Sequence, residues 1–453
     1  MKLNLLLLSS TMVVGGCAGP EHAKPEHSKE PMPPVAQRIP KVDEIHGERL
    51  VDNYFWLREK TNPAVIAYLQ AENAYTDALT KPLHPLEQKI YKEMLSHIKE
   101  TDMQVPYRNH GFYYYSRTEQ GKQYAIYCRK KGNLEATEEI TLDLNALAKG
   151  ESFMQVGAYN VSDDSNLLAY SLDRTGFRQY TLQIKDLRSG KVFPERIEKT
   201  GSLEWAADNR TLFYTVEDDA KRMYRVYKHR LDTDPARDEL VYEEKDERFD
   251  VSIGRSRSEA FLFLMSQSHT TSEARYLSAS EPDGSWKMVA PRIPEQEYDV
   301  DHHGDFFFIR ANDKGRNFRL TKAPVQNPGR EHWEEVIPHR GDVMLEGVEM
   351  FARHYVLTER KGALPQMRIV DFDSGTSRSI SFPEPVYDAN AGMNAEYESR
   401  QFRYGYESFT TPDSVFDYDI DKGESKLLKR KEIPGGYDPA HYESERLMAT
   451  ASD

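Results

Sequence analysis

Cysteine is nearly absent: Cys17 and Cys128 are the only two in 453 residues. A disulfide framework of the kind that holds small secreted domains together is excluded, as is a cysteine-built metal cluster. Long hydrophobic runs are missing too. The apolar stretch from Leu5 to Val14 is too short to span a bilayer, and no later run is longer. Positive charge is in deficit, with 60 Lys and Arg against 74 Asp and Glu for a net charge of −14. That balance argues against a nucleic-acid partner, which would call for a basic face.

Chemical motifs are lacking in the same way. Gly-x-Ser occurs at Gly150-Glu-Ser152, Gly254-Arg-Ser256, Gly375-Thr-Ser377 and Gly423-Glu-Ser425. None is completed by a glycine two residues later, so no Gly-x-Ser-x-Gly nucleophile elbow is present. There is no glycine-rich phosphate loop, His-Glu-x-x-His or Cys-x-x-Cys pattern, and no cofactor is expected. His302-His303 is the only histidine pair. Sequence neighbours in a turn rarely hold a metal alone, so no metal site is assigned. The acidic run Glu243-Glu-Lys-Asp-Glu247 reads as a solvated hairpin of alternating charge.

What is present begins with an address. Lys2, the apolar stretch and Val14-Gly15-Gly16-Cys17 have the form of a bacterial lipoprotein signal over residues 1–17, with Cys17 as the lipidated residue. Residues 18–40 carry Pro20, Pro25, Pro31, Pro33, Pro34 and Pro40 without apolar periodicity, and read as an extended tether. The expected location is the cell envelope, lipid-anchored at the outer membrane and facing the periplasm. The lipid is the expected membrane contact. Cys128, inside a strand-like run, reads as a small buried apolar residue.

Residues 41–104 read as a helical segment. Asn62-Pro63 is a capped helix start, and the helix ends near Thr80. After Pro85, the spacing of Leu86, Ile90, Met94 and Ile98 gives a second helix with one apolar stripe. From Pro106 onward the period is two. Aromatic-rich strands recur at Phe112–Tyr115, Leu167–Tyr170, Thr211–Tyr214, Ala260–Leu264, Asp305–Ile309, Tyr355–Leu357 and Phe402–Tyr404. Turn-formers precede several of them, as at Ser162-Asp-Asp-Ser165, and Asp-x-x-x-Gly hairpins follow, as at Asp186, Asp371 and Asp419. Seven units of roughly 45 to 50 residues predict an all-β fold, a seven-bladed β-propeller over 105–438, preceded by the short α-helical segment. A two-domain β-sandwich is the less regular alternative.

Val51-Asp-Asn-Tyr-Phe-Trp-Leu57, Val105-Pro-Tyr-Arg108, Lys314-Gly-Arg-Asn-Phe318 and Trp333-Glu-Glu-Val-Ile-Pro338 resemble the prolyl oligopeptidase family, most closely oligopeptidase B. Arg403-Tyr-Gly-Tyr-Glu-Ser408 with Thr410-Thr-Pro-Asp413 is the most specific stretch. The resemblance implies a propeller capping an α/β-hydrolase domain with a Ser-Asp-His triad, which admits short peptides and cleaves after Arg or Lys. It also implies that the N-terminal helices pack on the hydrolase, and that 439–453 is the start of that domain, ending in its first strand. Nucleophile, acid and base would all fall downstream. No catalytic residue is therefore assigned, peptide-binding residues are unassigned, and the chain alone is expected to be inactive. Three functions stay open: the gating propeller of such a peptidase acting on short, basic peptides; one half of a split peptidase; and a stand-alone lipoprotein module that binds a protein.

Overall fold

The computed structural model describes residues 31–452, so the signal segment and Cys17 lie outside the described residues. Two compact units divide at Ser96 and His97.

The first unit opens on a β-hairpin that the reading of 41–104 as a helical segment did not include, Lys41–Ile45 paired with Glu48–Asp52. His46 and Gly47 both have positive φ, which gives the two-residue turn that a twisted hairpin favours. The helices come where the capping signals put them. Helix α1 (Pro63–Thr80) starts at Asn62, whose side chain accepts the Ala64 amide, with proline at the first helical position. Helix α2 (His84–Ser96) buries none of its residues. Leu86, Ile90 and Met94 are exposed by 55%, 46% and 62%, so its apolar stripe lies open.

In the second unit the described strands form seven antiparallel sheets in sequence order, six of four strands and one of three. Each sheet is a propeller blade built from contiguous chain. Blade one runs from Tyr107–Asn109 to Glu138–Asp143, and blade two holds Gln155–Val161, Leu167–Asp173 and Thr181–Asp186. The fourth position of blade two is filled by bridges of Val192 and Ile197 to the third strand rather than by a full strand. Blades three to seven begin at Thr200–Trp205, Asp250–Arg255, Tyr298–His303, Val343–Met350 and Asp388–Ala391. The aromatic-rich runs read from sequence are the second strand of each blade. They are the most apolar because both of their faces are covered by neighbouring blades. Leu168, Phe213, Leu264, Phe307, Leu357 and Phe402 on these strands are all fully buried.

Turn chemistry sets the hairpins. Asp186, Asp371 and Asp419 each accept amides from the turn that follows, and Gly190, Gly375 and Gly423 supply the positive φ that closes it. Cys128 is buried in the third strand of blade one. Two expectations fail. Glu244 is not solvated: it is 5% exposed and accepts from Ser266, Tyr242 and Arg292. Residues 442–452 form no strand, since an extended segment without a neighbour has no ladder to join.

Candidate functional site: the axis of the propeller and its mouth

Contacts between non-adjacent blades are possible only near the ring's axis, and the first strands make them. Their side chains alternate, one set packing between blades and the other facing the axis. In blade three, Leu203 and Trp205 are buried while Ser202 and Glu204 face inward. In blade five, Tyr298 and His302 are buried while Asp299 and Asp301 face inward. Glu349 of blade six, which meets Arg257 of blade four, occupies the same kind of position. The lumen therefore gathers carboxylates from blades three, five and six. Burial pushes Glu204 up from 4.5 to about 7, with Asp163 and Glu259 adding to the shift, and Asp301 from 3.8 to about 6.

This has a pH consequence. Folded Glu204 holds its proton up to about pH 7, whereas the unfolded carboxyl releases it near 4.5. Stability from this group is complete below about pH 4.5 and is lost as pH rises through 7. Glu204→Gln keeps an acceptor for the Asn160 amide, which lies 2.9 Å from the carboxylate. The variant is expected to match wild type in urea at pH 4.5 and to exceed it by roughly 3 kcal/mol at pH 8. Equal gains at both pH values would show that Glu204 is not the titrating group.

The topology fixes which end of the lumen is which. With four antiparallel strands per blade, the chain enters the first strand and leaves the fourth on one face. The hairpins joining first to second strands gather on the opposite face. In blades two, three and four these hairpins repeat one turn, in which Ser165, Asn209 and Glu259 have positive φ and donate their amides to Ser162, Ala206 and Ser256. In blade one, His110 and Gly111 form a two-residue turn with both φ positive.

The blade-four hairpin reaches across this mouth. Glu259 lies 2.9 Å from His110 Nε2 of blade one. Arg255 donates to both oxygens of Asp163 in blade two, at 2.6 and 2.9 Å, and to the Glu259 carbonyl at 2.9 Å. The Arg257 amide donates to Asp301 of blade five, and its guanidinium stands 3.6 Å from Glu349 of blade six. A cavity of ≈ 370 Å³ lies among Tyr107, Tyr114, Asp163, Glu204, Arg255 and Glu259. Glu259 holds the His110 imidazolium to higher pH than usual.

His302-His303 ends a strand rather than sitting in a turn. His302 meets the Ser258 hydroxyl at 2.7 Å, and His303 stacks on Phe372 while bonding the Tyr397 hydroxyl. The structure keeps the pair in packing roles because successive strand residues point to opposite faces. Sequence reading missed His110, Asp163, Glu204, Arg255 and Glu259. The only signal available was the repeated hairpin turn.

Residues 33–431 match the model for "Prolyl oligopeptidase, N-terminal beta-propeller domain". The chain is 38% identical along its full length to dipeptidyl aminopeptidase BI of Pseudoxanthomonas mexicana, of which it covers 64%. Over 92% of its length it is 33% identical to protease 2 of Moraxella lacunata, covering 61% of that protein. Among solved structures it is similar to oligopeptidase B from Leishmania major, with a TM-score of 0.87 and 30% identity over 93% of this chain and 63% of that one. It thus spans less than two thirds of the length of these relatives. The chain belongs to the prolyl oligopeptidase family, and residues 33–431 are that family's N-terminal β-propeller domain.

Proposed function

We propose that this chain is the propeller part of an oligopeptidase-B-like serine peptidase, and that it gates peptide access to an α/β-hydrolase active site. The match of residues 33–431 to the family's propeller domain carries this reading. A ring of seven rigid blades excludes folded proteins, while its inward carboxylates favour short basic peptides electrostatically. In this reading the catalytic Ser, Asp and His belong to the part of the relatives that the matched region does not cover. Cys17 would tether the assembly to the outer membrane.

The chain alone is expected to give no turnover of an arginine-linked chromogenic dipeptide. Fusion to the hydrolase domain of a relative is expected to give turnover that a serine-directed inhibitor abolishes. Inhibitor-sensitive turnover by the chain alone would refute the non-catalytic assignment. Loss of the preference for basic over neutral peptides in a fused Asp299→Asn, Asp301→Asn, Glu349→Gln variant is the test of the lumen's part.

The open stripe of α2 supports a second reading, in which the hydrolase half is a separate polypeptide that covers Leu86, Ile90 and Met94. Co-purification of a Gly-x-Ser-x-Gly protein, lost in Ile90→Asp, would support it. Recovery that is unchanged in Ile90→Asp would remove it.

A further inference from the structure

We propose that His110, Asp163 and Glu259 form a divalent-cation site that staples blades one, two and four across the mouth of the propeller, with zinc as the fitting ion. One ligand atom from each residue lies within 4.8 Å of the other two. Tetrahedral zinc, with bonds of about 2.0–2.2 Å, sets its ligands about 3.3 Å apart. His110 Nε2 and the Glu259 carboxylate already stand at 2.9 Å. Only the Asp163 carboxylate has to close in.

The donor set suits the ion. Imidazole with two carboxylates is a zinc-type combination, and it leaves a fourth position for water. Arg255 orients Asp163 from behind, as groups around metal ligands commonly do. Each Asp163 oxygen keeps a second lone pair for the metal, because an ionised carboxylate offers about four acceptor sites. Backbone placement is firm, since His110 and Glu259 both occupy left-handed positions inside tight hairpin turns.

The cavity beside the site is lined by Asp163, Glu259 and Glu204 together with Arg255 and Arg257. The same cavity is lined by Tyr114, 3% exposed, whose hydroxyl has no hydrogen-bond partner. A path from solvent exists, since the side chains of His110 and Glu259 are 28% and 39% exposed.

The test uses the full chain, stripped with chelator and titrated with zinc chloride by calorimetry, with thermal melting in parallel. One equivalent is expected to bind with micromolar Kd and to raise the Tm as zinc increases, because the ligands are together only in the folded ring. His110→Ala, Asp163→Asn and Glu259→Gln are each expected to weaken binding at least tenfold, while His332→Ala, at an exposed remote histidine, leaves it unchanged. Circular dichroism identifies any variant that fails to fold, and the remaining variants decide. Absence of saturable zinc uptake would overturn the proposal and leave a plain His–Glu ion pair. So would uptake that is equal in wild type and in the folded variants. Neither outcome depends on whether the chain serves a peptidase.

Discussion

Trp205→Ala is expected to destabilise the propeller by about 4 kcal/mol, the cost of removing a large aromatic from a packed core. Trp205 is 1% exposed and packs among Leu167, Leu182, Ile184, Leu203, Leu212 and Tyr214, where blade two meets blade three. Its indole N–H donates to the Asn160 carbonyl at 3.1 Å, a bond that crosses the blade interface. Blade two has only three full strands, so the ring there depends more heavily on side chains than on sheet area. Alanine would leave a cavity that two rigid sheets cannot collapse into, and would lose the bond that crosses the interface. Trp205→Phe restores most of the packing but not the bond, and about 1–2 kcal/mol should remain lost. Urea unfolding measures both variants. A Trp205→Ala midpoint equivalent to less than 1 kcal/mol would mean that this interface does not limit stability.

Arg403→Met is expected to cost about 2–3 kcal/mol and to loosen one seam of the ring. All described blades use contiguous strands, so no strand is shared between the first blade and the last. Side chains close the circle instead. Arg403 of blade seven is held by Asp417 through two bonds, at 2.8 and 3.0 Å, and donates to the Pro106 carbonyl ahead of blade one at 2.8 Å. Lys429 adds bonds to Asp102 and to the Met103 carbonyl. Methionine fills similar volume but leaves Asp417 and the Pro106 carbonyl unpaired. Because Arg403 and Asp417 are 15% and 20% exposed, the loss should fall below that of a fully buried pair. Arg403→Lys should recover only part of it, since an ammonium lacks the fork that reaches both partners. Hydrogen exchange gives the specific readout. Amides of Phe112–Arg117 and Gln401–Glu407 should exchange faster while blades three to five are unchanged. Uniform acceleration, or none, would place the closure elsewhere.

Local chemistry made much of this fold readable without coordinates. Asn62-Pro63 encodes a helix start because a side-chain acceptor and a preset φ act within one turn. The Asp-x-x-x-Gly hairpins encode their own closure, since the aspartate accepts amides two or three residues on and the glycine takes the positive φ. The recurrence of aromatic-rich strands encodes the ring, because each second strand is covered on both faces wherever it falls. The His46-Gly47 turn was equally local, but its flanking strands are exposed and carry no apolar alternation to signal them.

The tertiary structure alone decided which charges are buried and which residues meet. Glu244 sits in a run that looks solvated, and its burial is made tolerable by Ser266 and by Arg292, 22 and 48 residues away. His302 and His303 look like a pair, yet the pleat sends them to different neighbours. His110, Asp163 and Glu259 share no motif and span 149 residues, from His110 to Glu259. Periodicity and turn chemistry act over a few residues and are written in the chain. Convergence on an axis depends on how many blades close the ring, and exists only once it has closed.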